Sequence, residues 1–358
     1  YEIGVRLVGS EMCIRDRLHP AEVLYRGEKP FPALPACEHY AGSEKNLRKA
    51  LQLQVDLAID ERSVFDITGD CEDGAPAGRE AEHAGMIADL ILDPANRHGR
   101  FGARIHDVTH AHWRADLEII VGRAGGRLSY IVLPKVACAD DALTQIEALD
   151  DVRARHGIAR EIPVHVLIET PGALHEAWKI AALPHVEAID FGLMDFVSAH
   201  HGAIPGSAMR SPGQFSHPLI ARAKCEIAAA ALGNGVVPSH NVTTELNDPD
   251  IVREDAHRAR DEFGFLRMWS IHPRQIQPIV DAMRPDYAEV TEATGILLAA
   301  QNANWGPIAW DGKLHDRASY RYYWELLSRA HATGAELPRE ARDRFFRPVA
   351  STPNHVSN

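Results

Sequence analysis

Two carboxylates, each just after a short apolar run, are the residues of this chain best placed to do chemistry. Glu169 follows the run 163–168, and Asp195 follows Phe191-Gly-Leu-Met. Taken singly, each carboxylate could cap a helix or lie on the surface. Two carboxylates that leave coordination positions open suit Mg²⁺ or Mn²⁺, because these ions prefer oxygen ligands and keep water or substrate oxygens. The pair therefore favours a site for one of these ions.

Further polar side chains follow other apolar runs, and one of them is an arginine. The guanidinium of Arg104 is a planar fork that could bind a carboxylate through two hydrogen bonds or hold a developing oxyanion. A divalent ion together with such an arginine is what a 2-oxo acid or an enolate requires. Each of the others alone could be a helix cap or half of a surface ion pair, but together they favour a functional rim. They are Asp70, Glu72, Asp73, His106, Lys135, His240 and His272.

The elements that carry these residues repeat one order: a short β-like run, a polar loop and a helical stretch. Eight units of about 30 residues give about 250 residues, the usual size of a (β/α)8 barrel. We therefore predict a TIM barrel with short apolar strands buried on both faces. A doubly wound open sheet is the alternative, but no GxGxxG motif opens the first unit. The predicted strands are 34–37, 64–68, 101–106, 129–133, 163–168, 187–191, 235–238 and 266–270.

The order of elements changes after Pro285. Residues 287–302 and 317–332 predict two helices, and 310–316 predicts a turn-rich link between them. We therefore divide the chain into a barrel domain, 18–285, and a C-terminal helical appendage, 286–358, which we expect to fray from residue 347 onward. Residues 1–17 have no continuous periodicity and resemble translated vector sequence, so we predict a non-native leader there.

Composition argues against several classes of protein. The formal net charge is −12 and no basic cluster offsets it, which argues against nucleic acid as a partner. No apolar run approaches the roughly 20 residues that a membrane helix needs. The five cysteines are scattered without CxxC spacing, which argues against a zinc site or a disulfide framework and is typical of a reducing cytoplasm. We therefore predict a cytoplasmic enzyme that acts on small molecules.

Six short motifs occur in an order that is similar to one known family. They are Cys71-Glu-Asp-Gly74, Gly102-Ala-Arg104, Leu133-Pro-Lys135-Val136, Ile168-Glu169-Thr170, Phe191-Gly-x-x-Asp195 and Ile271-His-Pro-x-Gln275. On these motifs the chain resembles, over roughly residues 34–316, the HpcH/HpaI aldolase and citrate lyase β-subunit family, especially its CitE-like and malyl-CoA lyase branch. The resemblance implies a TIM barrel like those of pyruvate kinase and PEP mutase, a C-terminal lid and a Mg²⁺-dependent carbon–carbon lyase.

The resemblance also implies roles for individual residues. Glu169 and Asp195 would bind Mg²⁺, and Arg104 would contact the carboxylate or carbonyl oxygen of the substrate. Glu72 and Asp73 would support Arg104 and the waters on the metal. Three more residues would lie along the substrate, namely Lys135 at the rim and His272 with Pro273 near the CoA or acyl-carrier arm.

Gly312-Lys-Leu-His-Asp316 is similar to a segment of the CoA-ester lyases of that family. The resemblance implies that Asp316 lies in a lid, acts as the acid or base at the acetyl methyl carbon and closes over a neighbouring subunit of a homotrimer or homohexamer. From the residues alone, Asp316 is as well explained as the N-cap of the helix that begins at Arg317.

The implied reaction is cleavage of a 3-hydroxyacyl thioester, such as a malyl-CoA-like or citryl-CoA-like compound, into an acetyl thioester and a 2-oxo acid. One alternative is a CoA-independent pyruvate-type aldolase that acts on free hydroxy-oxo acids. Another is a citrate lyase β-like subunit or thioester-binding protein that is active only with partners. His106 is a departure that bears on the substrate, because relatives in the family carry Asn at that place after the arginine.

Overall fold

The structure is a computed structural model that describes residues 18–25 and 31–346, in which the eight predicted strands form a closed barrel. Each strand runs parallel to its neighbours, and the first strand closes the barrel by pairing with the eighth. The predicted TIM barrel is therefore confirmed. The strands are β1 Cys37–Ala41, β2 Phe65–Asp70, β3 Phe101–Arg104, β4 Ile131–Leu133, β5 Val164–Ile168, β6 Val186–Phe191, β7 Val237–His240 and β8 Arg267–Ser270.

Two strands lie further along the chain than their apolar runs predict. The runs 34–37 and 235–238 predict the first and seventh strands, but β1 ends at Ala41 and β7 ends at His240. Glu38 on β1 and Ser239 on β7 are fully buried, although polar residues normally indicate a loop. The prediction missed them because a polar side chain that faces a buried interior looks, in sequence, like the start of a loop.

Helices follow the strands and surround the barrel. Ser43 and Asp248 are N-caps that accept hydrogen bonds from first-turn amides, and Pro249 and Pro273 are the first residues of their helices. The helices are α1 Pro20–Leu24, α2 Glu44–Asp56, α3 Glu80–Leu92, α4 Trp113–Ala124, α5 Ala139–Arg155, α6 Pro171–His175, α7 Ala177–Ala181, α8 Leu193–Ser198, α9 Gly213–Ser216, α10 Pro218–Gly233, α11 Pro249–Phe263, α12 Pro273–Met283, α13 Tyr287–Asn302, α14 Arg317–Ala332 and α15 Arg339–Ala341, with a 3₁₀ turn at Gly206–Met209 and a π turn at Arg342–Phe346.

The main apolar core lies between the outer faces of the strands and the helices. Ile67 and Phe101 on the strands belong to one buried cluster with Ile87 on α3 and Leu117 on α4. Burying a side chain of this size stabilises the fold by about 1.5–3 kcal/mol. This layer holds the strands, and with them the loops at their carboxyl ends, in fixed positions.

The inside of the barrel is partly polar. Side chains along a strand alternate between its two faces. Cys37, Val164 and Val166 belong to the outer core, so Glu38 and His165, which alternate with them, face inward. Several charged or titratable side chains on the strands are fully buried, among them Glu38, Asp66, His165, Asp190 and Arg267.

The chain divides into two compact units. The larger contains the barrel, 31–284, and residues 332–334; the smaller contains the described residues 18–25, 285–331 and 335–346. The smaller unit has its own core, in which Leu297, Tyr320 and Trp324 are buried. Residues 18–25 thus belong with the appendage, whereas the sequence boundary at residue 18 placed them with the barrel. One contact that holds them there is the hydrogen bond from Trp305 Nε1 to the Leu18 carbonyl, at 3.2 Å.

The segment that the sequence predicts as a turn-rich link contains an antiparallel hairpin, β9 Ile308–Trp310 with β10 Lys313–His315. The leader predicted over 1–17 and the fraying predicted from 347 onward lie outside the described residues. Within the described part of the chain, every helix is too short or too polar to cross a membrane.

Candidate active site

Glu169 and Asp195 follow two consecutive strands of the barrel. Glu169 comes directly after β5, where Thr170 caps α6 by accepting a hydrogen bond from the Ala173 amide at 3.0 Å. Asp195 lies in the first turn of α8, which follows β6. The carboxyl ends of parallel barrel strands meet at one face, the face that carries the active site in TIM-barrel enzymes.

The Glu169 carboxylate is buried beside a second negative charge. Its exposed fraction is 2%, and its Oε1 accepts a hydrogen bond from the Lys135 amide at 2.6 Å. Burial and the nearby charge of Asp195 raise the pKa of Glu169 to about 8, although Arg104 and the Lys135 amide oppose the shift. A divalent cation between the two carboxylates would relieve this repulsion.

The space next to Glu169 exists because residue 192 is glycine. A Cβ on Gly192 would lie 2.2 Å from Glu169 Oε2 and 2.4 Å from Glu169 Cβ, well inside contact distance. Lys135 bonds to the other carboxylate oxygen, so Oε2 is the oxygen on the side that Gly192 leaves open. Carboxylate oxygens from Glu169 and Asp195 fit Mg²⁺, which prefers oxygen ligands.

Asp70 fixes Arg104, a pairing that the sequence did not predict. Asp70 Oδ1 and Oδ2 accept hydrogen bonds from Arg104 Nε at 2.8 Å and Nη2 at 2.7 Å, a bidentate pair that is almost fully buried. The same carboxylate accepts hydrogen bonds from the amides of Glu72 and Gly74. The strand register places Asp70 opposite Arg104, so correct alignment of β2 with β3 would have identified the pair.

Glu72 connects Arg104 to Lys135. Its Oε2 lies 3.1 Å from Arg104 Nη1, and its Oε1 pairs with Lys135 Nζ. The expectation that Asp73 also supports Arg104 is not met: Asp73 pairs with Lys135 Nζ, at 2.9 and 3.0 Å. Burial opposes the charge of Lys135, but these hydrogen bonds outweigh it and raise the pKa of Lys135. Lys135 is therefore an ammonium ion at neutral pH.

The backbone of Lys135 has an unusual conformation that serves Glu169. Its φ is 49°, in the left-handed region that side chains disfavour. This turn after β4 directs the Lys135 amide to Glu169 and the Lys135 ammonium to Glu72 and Asp73. Backbone strain of this kind clusters at functional sites.

His272 and Pro273 follow β8 at the same face of the barrel. His272 is the N-cap of α12, where its Nδ1 accepts a hydrogen bond from the Arg274 amide at 3.2 Å and Gln275 completes a capping box. His39, held to Ser270 Oγ at 2.8 Å, lies near His272. Burial and the neighbouring His272 lower the pKa of His39 to about 4, so His39 is neutral.

Two histidines that the sequence places at the rim have different surroundings. His240 is the last residue of β7, is fully buried and stacks on Phe215 with 5.4 Å between ring centroids, so its assignment to the rim is wrong. His106 is buried against α4, where its Nδ1 lies 2.6 Å from Asp116 Oδ2 and its amide donates to the same oxygen at 3.0 Å. Asp116 thereby fixes the chain just after Arg104.

Asp316 lies in the smaller unit. Its Oδ1 accepts a hydrogen bond from the Ala318 amide at 3.0 Å, and its carbonyl accepts one from the Tyr320 amide at 2.9 Å. These bonds make Asp316 the N-cap of α14, as the sequence alternative predicted. The carboxylate is nevertheless solvent-exposed, so the cap leaves it accessible.

The loops after β1 and β2 touch through two glycines. A Cβ on Gly42 would lie 1.9 Å from the Gly74 carbonyl oxygen, so only glycine permits this approach. Gly74 in turn donates its amide to Asp70 at 2.9 Å. The contact therefore links the first loop of the barrel to the pair that holds Arg104.

Comparison with known proteins shows the family to which the chain belongs. Residues 67–273, more than half of the chain, match the model of the HpcH/HpaI aldolase/citrate lyase family. The chain belongs to this family. Among solved structures, a citrate lyase from Burkholderia xenovorans LB400 is 55% identical, with a TM-score of 0.79 over 92% of this chain and 100% of that chain.

Two more distant relatives carry descriptions of their ligands or reactions. The L-malyl-CoA/β-methylmalyl-CoA lyase of Cereibacter sphaeroides is 26% identical over 281 residues, 74% of this chain and 87% of the relative. CitE from Mycobacterium tuberculosis, solved in complex with magnesium, acetoacetate and coenzyme A, is 22% identical, with a TM-score of 0.61 over 84% of this chain and 99% of that chain. At that identity the second likeness supports the fold alone.

Proposed function

We propose that this protein is a Mg²⁺-dependent carbon–carbon lyase that cleaves a 3-hydroxyacyl-CoA thioester into acetyl-CoA and a 2-oxo acid. The observation that carries the proposal is the buried carboxylate of Glu169, held next to Asp195 on the face where Asp70 fixes Arg104. The family and the malyl-CoA lyase among its relatives support carbon–carbon cleavage of a CoA thioester.

Glu169 and Asp195 would hold Mg²⁺, whose positive charge would stabilise the oxygens of the 2-oxo acid half. Arg104 would bind the carboxylate or carbonyl oxygen of that half. Its guanidinium needs no reorganisation for this task, because Asp70 and Glu72 already fix its orientation. The hydrogen bond from Lys135 would orient Glu169, and the Glu72–Lys135–Asp73 ion pairs would hold that turn in place.

In the cleavage, the bond between C2 and C3 of the acyl chain breaks and its electron pair passes to C2 as the thioester enolate. The C3 hydroxyl loses its proton as the new carbonyl forms. We assign the proton delivered to C2 to Asp316, whose exposed carboxylate caps α14. We further propose that Asp316 acts from a neighbouring subunit of a homotrimer or homohexamer.

The thioester arm would approach the start of α12. His272 and Pro273 lie there, after β8. The arm is that of CoA in our proposal, and an acyl-carrier protein is the alternative donor of the same thioester chemistry. An assay with CoA thioesters alone distinguishes them, because a carrier-dependent protein would leave the CoA thioester unchanged.

The test is product analysis with malyl-CoA in the presence and absence of Mg²⁺. Glyoxylate, measured as its phenylhydrazone, reports carbon–carbon cleavage, whereas free thiol reports hydrolysis of the thioester. We expect glyoxylate without free thiol, dependent on Mg²⁺ and lost in Glu169→Gln and Asp195→Asn. Glu147→Gln, which changes an exposed carboxylate on α5, is the matched control.

Other outcomes would replace the proposal. Thiol release without glyoxylate would make the protein a thioesterase. Cleavage of free 4-hydroxy-2-oxo acids without any CoA ester would favour the pyruvate-type aldolase. Full turnover in Glu169→Gln would remove the metal assignment.

A further inference from the structure

Three side chains in the barrel interior have the donor atoms of a metal site. Glu38 on β1, His165 on β5 and Asp190 on β6 are all fully buried. One ligand atom from each lies within 4.8 Å of the others. We call these three residues the inner trio. The inner trio is separate in sequence from Glu169 and Asp195, and a metal site there is independent of the proposed lyase activity.

Most of the donor atoms of the inner trio lack hydrogen-bond partners within the described part of the chain. These atoms are both ring nitrogens of His165 and both carboxylate oxygens of Asp190, whereas Glu38 Oε2 pairs with Arg267 Nη2 at 3.2 Å. His165 Nδ1 is 3.4 Å from Glu38 Oε2, and His165 Nε2 is 3.7 Å from Glu187 Oε2, both long for a buried charged hydrogen bond. A buried polar group without a partner is unfavourable, so these atoms favour binding of a further species.

The charges around the trio add up to a deficit of positive charge. Asp66 pairs with Arg100 at 2.6 Å and with Arg267 at 2.8 Å, and Arg267 also lies 3.2 Å from Glu38. Four carboxylates therefore share two guanidinium groups when His165 is neutral, which leaves two negative charges. The carboxylates are Glu38, Asp66, Glu187 and Asp190. A divalent cation would supply the two positive charges that this count lacks.

We propose that the inner trio binds one divalent transition-metal ion, Zn²⁺ or Mn²⁺, as a structural centre inside the barrel. One imidazole nitrogen and two carboxylates suit these ions better than Ca²⁺ or Mg²⁺, which prefer oxygen ligands alone. The 3.4 Å between His165 Nδ1 and Glu38 Oε2 is close to the ~3.3 Å between neighbouring ligands on a tetrahedral ion with bonds of about 2.0–2.1 Å. Tyr130, stacked on His165 at 4.0 Å, holds the imidazole plane.

Such an ion would join strands that are distant in sequence. It would connect β1 to β5 and β6 across the inside of the barrel. Because the trio is fully buried, the ion would enter during folding and leave slowly afterwards. Its contribution would be to the stability of the barrel, and it would persist when the carboxylates at the rim are removed.

The experiment uses the full chain with the rim carboxylates removed, Glu169→Gln with Asp195→Asn, so that any ion retained is not at the rim. This host is unfolded in guanidinium with EDTA and refolded with Zn²⁺, with Mn²⁺ or without metal. Each sample is then passed over an EDTA column, and metal per chain is measured by mass spectrometry. We expect one ion per chain with at least one of the two metals, and a higher Tm than in the metal-free sample.

His165→Gln in the same host should abolish retention, whereas His156→Gln, which changes a surface histidine paired with Glu118, should not. If His165→Gln fails to fold, the host refolded with Co²⁺ gives a second readout, because Co²⁺ in a tetrahedral protein site has strong visible d–d absorption bands, which should survive EDTA. A host that refolds fully but retains neither ion would overturn the proposal. So would equal retention by a folded His165→Gln protein, or ¹⁵N spectra that show His165 as an imidazolium in the sample refolded with metal.

Discussion

At the scale of the residue, the site depends on how Arg104 is held. The Asp70–Arg104 pair is bidentate and almost fully buried, and Glu72 occupies a third guanidinium nitrogen. Removing one partner of such a pair leaves a buried charge uncompensated, which typically costs about 3–5 kcal/mol. Asp70 therefore matters for both stability and turnover.

Asp70→Asn should lower both the stability and the turnover of the protein. We expect a loss of stability of up to about 3–5 kcal/mol. We also expect kcat/KM to fall by roughly 10²-fold, because a displacement of about 1 Å in a positioning residue slows turnover by that factor. Guanidinium unfolding and the glyoxylate assay measure the two. Asp89→Asn, which breaks an exposed pair with Arg123, should cost less than about 1 kcal/mol and leave turnover unchanged. Equal effects of the two changes would contradict the positioning role.

Gly192→Ala tests the space beside Glu169. The added Cβ would overlap Glu169 Oε2, so the carboxylate must leave its present position. We expect kcat/KM to fall by roughly 10²-fold and half-saturation by Mg²⁺ to shift to higher concentration. Gly126→Ala adds the same methyl group where no atom lies within 4 Å and should change neither value. Unchanged Mg²⁺ dependence in Gly192→Ala would count against Glu169 as a ligand.

At the scale of the element, the feature of α10 that affects stability is a fully buried lysine. Lys224 is fully buried, with its Nζ 3.8 Å from the centre of the Phe215 ring and 3.3 Å from Gln214 Oε1. Burial lowers the pKa of Lys224 well below its usual value. The unfolded chain then binds a proton that the folded protein does not, so this residue makes the protein less stable as the pH falls from about 10.5 towards the folded pKa.

Lys224→Met should therefore stabilise the protein at pH 7. The advantage over wild type should grow by about 1.4 kcal/mol for each pH unit that the pH is lowered within that window. Guanidinium unfolding at pH 7, 8 and 9 measures it. Lys179→Met, which changes an exposed lysine, should show no such trend. A Lys224→Met protein less stable than wild type at every pH would contradict this account.

The sequence predicts the elements of this fold well where their hydrophobic pattern is simple. α13 and α14 have the predicted bounds, and β5 is within one residue of its predicted bounds. The prediction fails at the ends of β1 and β7, where a polar interior side chain follows the apolar run. After β5 the chain forms two short helices, α6 and α7, which meet at Glu176, in place of one longer helix.

The site was predictable to the extent that its residues follow strands. Glu72, Arg104, Lys135 and Glu169 are connected as the loop positions suggest. The partner of Arg104 was not predicted, because choosing Asp70 over Asp73 requires the register of β2 against β3. His240 was misplaced because β7 ends two residues later than predicted, which turns a rim residue into a core residue.

At the scale of the whole molecule, the two units divide the proposed chemistry. Glu169 belongs to the barrel and Asp316 to the smaller unit. If Asp316 acts on a neighbouring subunit, co-expression of Glu169→Gln with Asp316→Asn should restore activity. Random mixing in equal amounts gives about one quarter of the sites both intact residues, so we expect about a quarter of wild-type turnover. Mixed oligomers, verified with two affinity tags, that remain inactive would show that Asp316 does not act in trans.

The contact between Gly42 and Gly74 matters for anyone who wishes to change the specificity of this protein by directed evolution. Because neither loop can move without displacing the other, a library that varies the loops after β1 and β2 independently will consist largely of variants in which Asp70 no longer holds Arg104. Substitutions in these loops will therefore show strong epistasis. Diversity placed after β3, beyond His106, avoids that contact and keeps the His106–Asp116 pair that fixes the chain after Arg104.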